Sequence, residues 1–203
     1  MTAPRPHALA ALLLATLFST TACGETAMPT PKRNPNPTQV YEVTFTVRDA
    51  PGPIEFREGF AQYQVTNGEC VPVEAYTGAR NYPHERVALT VERVGERAFR
   101  TRVVGAPFID EDYFGRGVCR WELLGVDLLA QVGQAQLLAS TSGRSIARAE
   151  TSIAFYEKSL YGKPMPGDMP FFGFDGVPPG RSATDYFQIV STHKDMSHAT
   201  EHR

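Results

Sequence analysis

The 203 residues carry 20 Lys and Arg against 22 Asp and Glu, a net charge of −2, with 42% hydrophobic residues, 16 prolines and three cysteines. That balance excludes a polyanion binder, which needs a basic surface, and the hydrophobic share excludes a chain too polar to bury a core. The length suits one sizeable domain.

The chain begins like a leader: Arg5 precedes an apolar run over residues 8–18, followed by Ser19-Thr20-Thr21-Ala22-Cys23. The run falls short of the roughly 20 apolar residues that span a bilayer, and it ends in small residues suited to a signal peptidase. A cysteine directly after them is the arrangement of a bacterial lipoprotein signal, although Thr20 stands where such signals usually carry Leu. The expectation is removal of residues 1–22, acylation of Cys23 and anchoring from the periplasmic side. Gly24 in the next position, rather than Asp, points to the inner leaflet of the outer membrane. Loss of Arg5 leaves 19 basic residues against 22 acidic ones. Residues 23–39 include Pro29, Pro31, Pro35 and Pro37 among Thr, Asn, Lys and Arg, and read as a lipidated spacer. Extended at about 3.1 Å per residue, such a spacer reaches roughly 50 Å.

From Val40 the hydrophobic period becomes two, with Tyr41, Val43, Phe45 and Val47 on one face and Glu42, Thr44, Thr46 and Arg48 on the other. This predicts a half-buried strand. The alternation returns at Ala61, Tyr63 and Val65, at Val87, Leu89 and Val91, and at Phe99, Thr101 and Val103, with Gly95-Glu96 suggesting a type II′ turn before the last set. Between them lies Cys70; Cys119 follows, beside Trp121. Once Cys23 is acylated these are the two remaining cysteines in an exported chain, and they are expected to pair. Closing a loop of roughly 50 residues would stabilise the fold by about 4 kcal/mol.

Trp121–Val132 fits either a strand or a helical stripe through Leu123, Leu124, Leu128 and Leu129, and is read as a strand. Thr141-Ser142-Gly143-Arg144-Ser145 reads as a polar turn; Ile153 with Phe155, and Phe187 with Ile189, mark further strands. Many short strands without alternating helices predict an all-β antiparallel sandwich over residues 40–192, of which an immunoglobulin-like arrangement is one form. Residues 162–180 contain five glycines and five prolines interleaved with Met165, Met169, Phe171, Phe172 and Phe174, so a long irregular loop is expected there. It either folds back on the sandwich or offers a contact surface. Residues 193–203 read as a flexible tail.

No G-x-S-x-G or S-x-x-K motif supplies a nucleophile. His198-Ala199-Thr200-Glu201-His202 matches H-x-x-E-H, but at the chain's end it lacks the packed helix and further ligand of a zinc peptidase. Asp110-Glu111-Asp112-Tyr113-Phe114-Gly115 begins like an oxygen-ligand calcium loop, yet Phe114 stands where a donor is needed. The stretch reads instead either as a solvated acidic loop or, since Tyr and Phe beside charge are common interface anchors, as a contact loop for a protein partner. No cofactor or metal is expected.

The stretches Tyr63-Gln64-Val65-Thr66-Asn67-Gly68-Glu69-Cys70-Val71-Pro72 and Asp110-Glu111-Asp112-Tyr113-Phe114-Gly115-Arg116-Gly117-Val118-Cys119-Arg120-Trp121, with the acylated cysteine and the opening strand to Pro53, resemble periplasmic immunity lipoproteins of proteobacteria. Those proteins neutralise antibacterial phospholipase effectors, including the phospholipase D type delivered by type VI secretion. The likeness spans residues 41–121, and Arg120 replaces a usual His. It implies a non-catalytic inhibitor of a cognate phospholipase. Partner contacts are expected from Asp110, Glu111, Asp112, Tyr113 and Phe114, and from Phe171, Phe172, Phe174 and Asp175. The alternative is an envelope lipoprotein that holds a small ligand or lipid in an apolar pocket between its strands.

Overall fold

A computed structural model describes residues 28–197 of the chain. The leader, Cys23 and the H-x-x-E-H stretch lie outside the described residues. Strands run in the order β1 (Val40–Arg48), β2 (Phe56–Val65), β3 (His84–Leu89), β4 (Glu92–Arg93), β5 (Ala98–Val104), β6 (Trp121–Val132), β7 (Ala135–Ser142), β8 (Ser152–Glu157), β9 (Phe171–Phe172) and β10 (Tyr186–Asp195), with one short helix, α1 (Gly143–Ala147), after β7. They form two five-stranded sheets, β4-β5-β1-β10-β8 and β3-β2-β6-β7-β9. Every ladder is antiparallel except that of β7 with β9.

The period-two pattern explains why the sheets stack. Val43, Phe45 and Val47 of β1 face Ala61, Tyr63 and Val65 of β2 across a core completed by Phe99, Val103, Leu128, Leu137 and Phe187. Phe56 stands edge-on to Phe99 at 5.1 Å between ring centroids. The interior is therefore filled by side chains. Polar links stitch the sheets together where they meet: Tyr63 Oη donates to the Val104 carbonyl, Thr101 Oγ1 to the Thr90 carbonyl and Tyr156 Oη to the Leu138 carbonyl. Burial raises the hydroxyl pKa of both Tyr63 and Tyr156, which keeps them neutral donors.

Both long sides of the sandwich are closed by chain that changes sheet. On one side β3 leaves its sheet at Thr90 and enters the other as β4. On the other, the glycine- and proline-rich segment acts as a strap. Phe171 and Phe172 pair with Leu137 and Leu138 of β7, and two residues later Phe174 exchanges both backbone hydrogen bonds, each 2.8 Å, with Phe155 of β8. A β-carbon on the intervening Gly173 would stand 2.7 Å from the Tyr156 ring and 2.8 Å from Ala154, so the crossing requires glycine.

β6 is a strand, and its ambiguous pattern has a structural cause. The register against β2 shifts between Gln62 and Tyr63, leaving Leu124 as an extra residue. Trp121 and the half-buried Leu123 face inward before this bulge; Val126, Leu128, Ala130 and Val132 do so after it. Gly143 lets α1 approach there, since a β-carbon would collide with the Leu123 carbonyl. The expected polar turn at residues 141–145 is the end of β7 plus a capped helix, with Ser142 Oγ accepting from the Ser145 N–H at 3.0 Å.

Several local expectations are corrected. Gly95 lacks the positive φ of a type II′ turn; the two-residue loop with a glycine of φ 60° is Gly133-Gln134, between β6 and β7. β10 continues through His193, Lys194 and Asp195, opposite Val43, Glu42 and Tyr41, so those three residues belong to the sheet rather than the tail. Part of the expected spacer is docked: Arg33 bridges to Phe108, the Asn34 N–H donates to the Pro107 carbonyl and the Ile109 N–H to the Lys32 carbonyl.

Candidate functional site

Cys70 and Cys119 are bonded, 5.3 Å apart at their α-carbons and fully buried. Cys70 ends a 3-10 turn after β2 and Cys119 lies just ahead of β6, so the bridge joins two connections at one end of a single sheet. An immunoglobulin bridge crosses between sheets. Here the strand order also differs, and Trp121 packs on Phe108 at 4.9 Å and Tyr113 at 6.3 Å between ring centroids.

Around the bridge every acidic residue of the 110–114 loop is used internally. Asp110 Oδ1 accepts from the Trp121 N–H at 2.9 Å. Glu111 binds Lys32 Nζ at 2.7 Å and its carbonyl accepts from the Cys119 N–H. Asp112 Oδ1 accepts from the Arg116 N–H at 2.9 Å and the Phe114 N–H at 3.3 Å. Backbone donors, Arg116 and Gly117 foremost, hold the Asp112 carboxyl below its ordinary value. Tyr113 Oη donates to the Ile109 carbonyl and accepts from Trp121 Nε1, while Phe114 packs partly on the core. Asn67 joins this loop to the turn at Cys70: its Nδ2 donates to the Val118 carbonyl at 2.8 Å and its Oδ1 accepts from the Arg120 N–H at 2.7 Å. The loop is thus braced from within.

A residue that the sequence did not mark stands at the same end. Val73 bridges to Arg80, Glu74 and Ala79 close a small hairpin, and at its tip Tyr76 is 100% exposed. Exposed Val73, Ile109 and Val118 share this end. An aromatic in a Thr-Gly turn, Tyr76-Thr77-Gly78, was the available hint.

The second group of expected contacts lies elsewhere. Phe171 is buried against Tyr156, at 1% exposure, and serves the core. Phe172 is 56% exposed on the outer face of the β7 sheet, Phe174 is exposed beside Tyr186 on the other sheet, and Asp175 lines a cleft between β7 and β8. Leu137, the partner of Phe171, faces Ala130, nine residues along β6 from Trp121. At about 3.3 Å per residue Phe171 therefore sits ~30 Å along the sheet from Trp121, whereas Asp175, beside Ser140, Thr141 and Ser142, lies opposite a stretch of β6 nearer to it.

His193 Nε2 lies 3.0 Å from Thr141 Oγ1 and Nδ1 lies 2.6 Å from the Glu150 carbonyl, so both ring nitrogens are engaged. Burial lowers its pKa. With Nδ1 donating to a carbonyl, Nε2 accepts from the threonine hydroxyl, and the pair clasps β7 to β10. Among the described residues no group of three His, Cys, Asp or Glu is gathered tightly enough for a metal ion, and no helix is long and apolar enough to cross a membrane. No family model, curated protein or solved structure matches the chain.

Proposed function

We propose that this chain is an immunity lipoprotein: it binds a toxic phospholipase effector in the periplasm, blocks it stoichiometrically and performs no catalysis itself. The observation that carries the reading is the sequence likeness around the two cysteines, residues 63–72 and 110–121. The geometry supports it in kind, because those two stretches are covalently joined and internally hydrogen-bonded, and a preorganised loop loses little entropy on docking. Tyr76, Val118, Ile109 and the exposed faces of Asp112 and Phe114 would form the contact, with Tyr76 as an aromatic anchor. A lipid on Cys23 would hold the domain at the outer membrane. With residues from Lys32 onward docked, the tether from Cys23 spans at most about 30 Å.

The test is to mix the Cys23→Ser protein with each phospholipase-like protein that the genes on either side of its own are found to encode and follow lipid hydrolysis. Inhibition that is complete at one equivalent supports the proposal. Undiminished hydrolysis at a large excess of the protein, with no complex on gel filtration, rejects it.

A further inference from the structure

The strap closes the β7/β8 side of the sandwich only as far as Phe174. Beyond it a cleft of about 290 Å³ opens between Ser140, Thr141 and Ser142 of β7 and Ser152, Ile153 and Ala154 of β8. Its inner wall includes Phe45, Ile189 and Ser191. Ser191 is 2% exposed and its hydroxyl has no hydrogen-bond partner among the described residues, a costly arrangement for a buried polar group. Asp175 stands at the rim.

The backbone beside this cleft is also open. Phe155 gives both its N–H and its C=O to Phe174, so these groups point away from β10. The β8 ladder with β10 shows no register shift, and alternation then directs the N–H and C=O of Ile153 to the same free edge. The strap would face Ile153 with Gly176, but it bends away at Asp175 and Gly176 themselves. Other edges are guarded. β4 and β9 are two residues long, and β3 sets His84 and Arg86 outward. β8 instead shows Ile153, 41% exposed and uncharged.

We propose that the Ile153 edge accepts an extended segment of a protein partner by strand addition, continuing the line begun by Phe174. Backbone pairing at Ile153 supplies affinity. The residue opposite Ser152 points inward, into the cleft whose wall includes Ser191, where a long hydrogen-bonding side chain reaching past Ser152 would partner the buried Ser191 hydroxyl, with Asp175 favouring a basic neighbour. This edge is remote from the disulfide-pinned loops and does not depend on the inhibitory reading.

The test uses the whole Cys23→Ser protein and a displayed library of linear twelve-residue peptides, selected on wild type. Selected peptides should slow amide exchange of Ile153 and lose tenfold or more in affinity for Ile153→Pro, which removes the edge donor where an edge strand tolerates proline. Ser191→Val, which removes the unpartnered hydroxyl, provides a second variant should Ile153→Pro melt early. It should weaken the same peptides while the melting temperature holds or rises. Failure to select any peptide, or peptides that bind both variants as well as wild type and leave the Ile153 amide unprotected, would overturn the proposal. A phospholipase that fails to bind would count only against the inhibitory reading.

Discussion

Replacing Cys70 and Cys119 together by Ala in the Cys23→Ser protein isolates the contribution of the bridge. The two cysteines are 49 residues apart in sequence. Chain-entropy reasoning for such a loop gives about 4 kcal/mol, arising in the unfolded chain. For a domain of this size that corresponds to a fall of about 10 °C in melting temperature. The folded loop should survive, because Asn67 still joins residues 118 and 120 to the turn and the Cys119 amide position still pairs with the Glu111 carbonyl. Guanidinium unfolding followed by tryptophan fluorescence separates the two effects, Trp121 being the sole tryptophan and adjacent to the bridge. The variant should show a lower midpoint and a steeper denaturant dependence, since its unfolded chain is more expanded. Asn67→Ala is the counterpart that acts on the folded side. It should cost about 1–2 kcal/mol at unchanged slope. A loss below about 1 kcal/mol for the double variant, or a native fluorescence spectrum that collapses in it, would refute the assignment of the bridge to the unfolded state.

Other outcomes follow from single contacts. The His193 pKa is depressed in the fold, so as pH falls through about 6.5 the unfolded chain takes up the proton first; stability is full above that value and declines below it. His193→Gln should flatten the fall in urea midpoint between pH 7.5 and 5.5, and an unchanged slope would remove the histidine from the account. Gly173→Ala should cost about 1–3 kcal/mol by driving a methyl into Tyr156 and Ala154, and calorimetry of the variant measures it. Tyr76→Ala should leave the melting temperature within about 1 °C of wild type, as expected for a surface change, and speed dissociation from the effector at least tenfold by surface plasmon resonance. Asp110→Lys is the contrasting case: it removes the acceptor of the Trp121 N–H, so its melting temperature should fall as well.

Legibility followed the range of the interactions concerned. β1 could be read because its alternation is local: each inward residue meets the same core and each outward one meets water. The pairing of Cys70 with Cys119 could be read by counting, but its place at one end of one sheet could not, since that depends on β2 lying beside β6. The bulge at Leu124 breaks the period of β6 halfway, so its leucines mimic a helical stripe. The three phenylalanines of the strap look equivalent in sequence. Phe171 is core, and Phe172 and Phe174 face outward on different sheets, because the segment crosses between β7 and β8. The acidic loop was recognised as a unit, whereas the internal use of Asp110, Glu111 and Asp112 depends on partners at residues 121, 32 and 116.

The most direct measurement is a competition between the parent strain and a mutant lacking this gene, both grown in contact with parent cells, with any phospholipase encoded beside the gene tested as the proposed effector. The account predicts that the deletion mutant is killed, that the gene in trans restores survival, and that a catalytically dead effector spares it. A deletion mutant that survives contact as well as its parent, with the effector active and delivered, would contradict the central claim.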